Sequence, residues 1–167
     1  MSEPSTLDLF PLDLLPQATS ALMLYCPQDE TPVARVANVT LVEPDPDRCT
    51  TLRRLYPEWN IEEDNVYQWV ARHDNAQADI VVADPPNQET RHCLGLLPQL
   101  ATLARQAVIL GTVDSLVAVD LLGINCLRQR PATIDEIGPP TVPPGWTLTR
   151  ITPRGTLQRW LLMEPTP

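Results

Sequence analysis

Three stretches of this chain carry side chains that could do chemistry. "NVTLVE" (38–43) is an apolar run that ends on Glu43. An ionised carboxylate is acceptor-only, and its two oxygens match the vicinal hydroxyls of a ribose. "ADIVVADPPN" (78–87) is a stronger apolar run that breaks at Asp84, Pro85 and Asn87. "YCPQDETP" (25–32) follows a third run and holds Cys26 and Asp29. In open α/β sheets, ligands sit beyond the carboxyl ends of the strands where strand order reverses. That rule would gather Cys26–Glu30, Glu43–Asp45 and Asp84–Asn87 around one crevice. The plain alternatives are an exposed acid at a strand end for Glu43 and an ordinary turn residue for Asp84.

His73 and His92 are the two histidines. "ARHDNA" puts His73 in a polar, solvated loop. "ETRHCLG" puts His92 on a helix that could face the crevice, although a surface position is the simpler reading. Trp59, Trp69, Trp146 and Trp160 suit core or rim positions better than a stacking platform. The four cysteines are spread singly with no CxxC pair, so no zinc site is expected and buried free thiols are.

Totals exclude several classes. Net charge is −9, and no basic stripe of the kind a nucleic-acid binder shows is present. The chain contains no Lys, which removes Schiff-base chemistry and the P-loop Lys. No apolar stretch approaches the about 18 residues of a membrane span. No positively charged segment precedes the first apolar residues, so a cytoplasmic protein is expected. With 167 residues, one domain can bury its own core.

The elements that must hold these residues alternate short apolar runs with helical patterns, the signature of a parallel α/β sheet. Strands are predicted at 21–26, 38–43, 65–70, 78–84 and 106–113. A helix is predicted from Asp45 or Asp47, limited by Pro57. A short helix is expected in "ETPVARVA", one interrupted by Pro98 in "QETRHCLGLLPQLATLAR", and one in "SLVAVDLLGINCLRQR". "IGPPTVPPGW" (137–146) reads as a Pro-rich linker. Two extended runs around "TPRG" read as a C-terminal antiparallel hairpin. Residues 1–20 form an N-terminal extension, 21–164 the α/β domain and 165–167 a tail. The arm is read as packing on its own domain; its "TLDLF" (6–10) also resembles the short peptides that dock on bacterial sliding clamps.

Five α/β units ending in a reversed pair resemble class I S-adenosylmethionine-dependent methyltransferases, a single doubly wound, mostly parallel sheet. The resemblance spans residues 21–164. "VTLVEPDPDRCTTLRRLYP" (39–57) looks locally like spermidine synthases, and "ADIVVADPP" looks like the fourth-strand motif of amino-group methyltransferases. The resemblance implies that Glu43, with Asp29 and Cys26, would hold S-adenosylmethionine. It implies that Asp84 and the Pro85 carbonyl would accept hydrogen bonds from a target amine, with Asn87 where those enzymes place a stacking aromatic.

Two departures bear on activity. The family's loop after the first strand is Gly-rich, because glycine lets backbone pass against the cofactor, whereas 25–32 has no glycine. Asn87 offers no stacking face, which removes a contribution of about 1–3 kcal/mol per base. The expectation is a methyltransferase-like domain that has lost cofactor binding and serves as a structural or protein-interaction partner, with 1–20 or 137–145 as contact segments. An active methyltransferase on an amino group or small molecule is the alternative. A receiver-like signalling domain, with Asp84 as phosphoacceptor and Thr112 as switch hydroxyl, is a third reading that lacks its Lys.

Overall fold

A computed structural model describes residues 10, 17–27, 30–86, 95–113, 142–154 and 158–167. Seven strands form one sheet: β1 (Ser20–Leu24), β2 (Asn38–Glu43), β3 (Asn60–Glu63), β4 (Ala78–Ala83), β5 (Ala104–Val113), β6 (Trp146–Arg154) and β7 (Gln158–Pro165). Their order is β3-β2-β1-β4-β5-β7-β6. The first five run parallel, and β7 lies antiparallel between β5 and β6. The predicted C-terminal hairpin is present, and its second strand, not its first, joins the parallel sheet. The receiver layout of five parallel strands in the order 2-1-3-4-5 is not this one.

Central strands are apolar on both faces because helices cover both. Leu22, Leu24, Val81 and Ala83 point into one core with Trp69, Leu97 and Leu100. Ala21, Met23, Ile80 and Val82 point into the other with Leu52, Trp59 and Trp160. Each fully buried Leu, Ile or Val contributes about 1.5–3 kcal/mol. Phe10 meets Trp160 edge-on, with ring centroids 5.2 Å apart, so at this residue the N-terminal arm packs on its own sheet.

Helix α1 (Pro46–Leu55) begins where Asp45 accepts hydrogen bonds from the Asp47 and Arg48 N–H groups, which decides between the two predicted caps. Pro46 occupies the first turn, where its missing N–H costs nothing. "ETPVARVA" contributes a single 3-10 turn at Val33–Arg35. Pro98 likewise opens helix α3 (Leu97–Leu103) instead of breaking one.

The predicted third strand at 65–70 is wrong. Val66–Ala71 is helix α2, capped by the Asn65 side chain, which accepts from the Gln68 N–H. Val66, Trp69 and Val70 are its buried residues, a spacing of three and four that suits a helix. The true third strand, "NIEE", is a short edge strand with no buried residue. At the opposite edge, β6 carries a register shift between Leu148 and Arg150 and a proline at 153, features that discourage further pairing. "SLVAVDLLGINCLRQR" and 137–141 lie outside the described residues.

Candidate functional site

Parallel register brings the ends of β1, β2 and β4 together. The Tyr25 N–H donates to the Val42 carbonyl at 3.0 Å, and the Asp84 N–H donates to the Leu24 carbonyl at 3.1 Å. Strand order reverses between β1 and β4, so the crevice expected of a doubly wound sheet falls here. Cys26, Glu43, Asp84 and Pro85 are all gathered at this end, as the sequence implied. Asp84 is half-buried and Pro85 buried. Asp29, Asn87 and His92 lie outside the described residues.

Glu43 is only 4 % exposed, one of two buried polar or charged residues among those described. Both of its carboxylate oxygens serve the chain itself. Oε2 accepts the Cys26 N–H at 2.9 Å, and Oε1 accepts the Asp45 N–H at 3.0 Å. Its main-chain carbonyl accepts the Cys49 thiol at 3.3 Å. A carboxylate out of water needs such donors, and backbone amides supply them where a diol would otherwise be expected.

The segment after β1 is fastened to α1 at two further points. Arg48, in the first turn, donates through Nη2 to the Pro27 carbonyl at 2.5 Å. Tyr56, at the far end of the helix, donates its hydroxyl to Glu30 Oε1 at 3.0 Å. The Tyr56 ring is stacked on Trp59, with centroids 4.0 Å apart and planes 8° from parallel. Neither Arg48 nor Tyr56 was singled out by the sequence. Nothing in "DRCTTLRRLY" distinguishes them from solvated helix residues, because their partners are backbone and side-chain groups of a different loop.

Tyr25 adopts φ +61°, and among the described residues it is the non-glycine with positive φ. This conformation costs a residue with a Cβ about 1–2 kcal/mol. A bulky residue thus occupies a turn conformation that glycine adopts freely. Tyr25 is buried in the core that holds Val42, Val66, Trp69 and Ala83.

The two thiols among the described residues, Cys26 and Cys49, are poor nucleophiles. Burial pushes the Cys26 thiol up to about 12, against the opposing pull of the Arg48 charge. Burial also raises Cys49, with Arg53 opposing. Both are free and buried. Among the described residues no three His, Cys, Asp or Glu side chains are grouped to hold a metal ion. No described helix is long and apolar enough to cross a membrane.

His73 is remote from the crevice, at the exit of α2. It is half-buried; its ring stacks on Trp69 at 3.7 Å, and its Nδ1 lies 2.6 Å from the Trp69 carbonyl. The solvated position read from "ARHDNA" thus becomes a packed one. Trp59, Trp69 and Trp160 are core residues and Trp146 is partly buried against the core.

No protein-family model matches the sequence, and no curated protein does. Solved structures do match in shape. A Haemophilus influenzae protein described as a methylase superposes with a TM-score of 0.61 at 15% identity, covering 92% of this chain and 92% of its own. TrmN from Thermus thermophilus gives 0.61 at 16% identity, over 93% of this chain and 47% of its own. The magnesium protoporphyrin IX methyltransferase of Synechocystis PCC 6803, solved with bound S-adenosylmethionine, gives 0.53 at 12% identity, over 87% and 69%. The chain therefore has the methyltransferase-like Rossmann fold.

Proposed function

We propose that this methyltransferase-like domain no longer binds a nucleoside cofactor and acts as a structural or protein-interaction partner. One observation carries the reading: both oxygens of Glu43 are held by backbone N–H groups of the chain itself, with the residue 4 % exposed. A ribose would have to reach a carboxylate that is almost wholly buried and whose oxygens each already accept one backbone N–H. It would also have to enter beside a segment that Arg48 and Tyr56 tie to α1. The sequence supports the same reading, since residues 25–32 contain no glycine.

Contact with a partner through residues 1–20 or 137–145 belongs to this proposal. The burial of Phe10 against Trp160 favours a role within the domain for that part of the arm. The acidic net charge favours a protein partner over nucleic acid. Equilibrium dialysis against labelled S-adenosylmethionine tests the loss of binding, and retention of label above a denatured control would refute it.

A second reading is supported by the solved neighbours, one of which carries S-adenosylmethionine. Here the domain is an active methyltransferase on an amino group or small molecule. Glu43 turns from its amides to a ribose, and Asp84 with the Pro85 carbonyl accepts hydrogen bonds from the methyl acceptor. Methyl transfer to any amine in the presence of the cofactor would establish it.

A further inference from the structure

We infer that Tyr25 is the internal occupant of the crevice between β1 and β4, its ring filling space that the planar part of a nucleoside would take. The inference rests on the reading of a site closed to cofactor and names the residue that closes it. Tyr25 follows the last residue of β1 directly. Its own N–H reaches β2 at Val42, and its neighbour Leu24 accepts from Asp84 after β4. It therefore stands at the point of reversed strand order, where ligands enter sheets of this kind.

Its conformation gives an independent indication. φ +61° is a setting that glycine adopts freely and a tyrosine resists. A residue persists in such a setting when its surroundings over-determine it. Tyr25 is 8 % exposed and shares a core with Val42 and Ala83, the last apolar residues of β2 and β4, and with Val66 and Trp69 of α2. The buried ring is packed where the backbone is strained. Removing the ring while keeping the turn should open a cavity with Glu43 close by, since the Cys26 N–H on Glu43 Oε2 belongs to the very next residue.

The test compares wild type, Tyr25→Gly, Tyr25→Asn and Tyr25→Phe by calorimetric titration with S-adenosylhomocysteine, adenosine and p-cresol. Glycine frees the backbone, and asparagine tolerates the left-handed turn without filling the space. The expected result is that wild type and Tyr25→Phe bind none of the three. Tyr25→Gly or Tyr25→Asn would then bind adenosine or S-adenosylhomocysteine at least about tenfold more tightly than the detection limit set by wild type. Folded variants that bind no nucleoside, or that bind p-cresol alone, would overturn the inference while leaving the reading of the site intact. Unfolding of both small variants would also overturn it, because the ring would then be an indispensable core member. Binding of S-adenosylhomocysteine by wild type would instead defeat the reading on which the inference rests.

Discussion

The Glu43 carboxylate accepts the Cys26 N–H at 2.9 Å across seventeen residues of sequence, which makes the end of β2 and the turn after β1 a single unit. The same carboxylate takes the Asp45 N–H, and Asp45 caps α1. One buried acid therefore organises three segments, and its loss should be felt as instability.

Glu43→Ala leaves the buried Cys26 amide and the part-buried Asp45 amide without their acceptor, and an unsatisfied buried group costs about 1–3 kcal/mol. We expect a loss of about 2–3 kcal/mol in urea unfolding, with Glu43→Gln losing less because it keeps one acceptor oxygen. An acid kept only for a ligand would behave oppositely, and its removal would leave stability unchanged or raised.

Cys26 should resist alkylation in the folded protein. With its thiol pushed up to about 12, only about one molecule in ten thousand carries the reactive thiolate at pH 8. Mass mapping after iodoacetamide should find Cys26 and Cys49 unmodified until denaturant is added. Rapid native labelling of either residue would contradict the buried geometry.

Asp79 makes stability depend on pH at the other end of the sheet. The Thr19 N–H and hydroxyl, both at 2.9 Å, together with the Arg105 charge hold its carboxyl below the usual range despite burial. A depressed folded-state value means that the stabilisation is complete above the unfolded value, about 4, and fades as pH falls through the folded one. Asp79→Asn should cost about 1–2 kcal/mol at neutral pH. The gap between variant and wild type should narrow as unfolding is repeated at decreasing pH below about 4. A gap that does not change with pH would contradict this.

How much of this was visible in the residue string depends on where each element sits. β1, β2, β4 and β5 were readable because buried parallel strands are apolar on both faces, as "ADIVVA" is. β3 was not, because an edge strand such as "NIEE" is half-solvated and looks like loop, while the apolar "VYQWV" beside it drew the assignment. Its Asn65 cap and the spacing of Val66, Trp69 and Val70 were the signals available. For the site, the position of Glu43 followed from the pattern, but the engagement of its oxygens did not. Backbone amides that converge in space leave no mark in side-chain types. Tyr25 was equally hidden, since nothing about a tyrosine suggests a left-handed turn.

Phe10→Ala should cost about 3 kcal/mol, the usual scale for truncating a buried aromatic, because its edge-on contact with Trp160 would be replaced by a void. Thermal unfolding reads this directly. An unchanged midpoint would mean that the arm is held elsewhere, and would return "TLDLF" to consideration as a docking peptide.

Calorimetric titration of the wild-type protein with S-adenosylmethionine and S-adenosylhomocysteine, run beside Glu43→Gln, tests the central claim most directly. Neither protein should give saturable heat with either ligand. A saturable micromolar isotherm from wild type that weakens at least about tenfold in Glu43→Gln would contradict it, because the carboxylate now bound to Cys26 and Asp45 would then be holding a ribose.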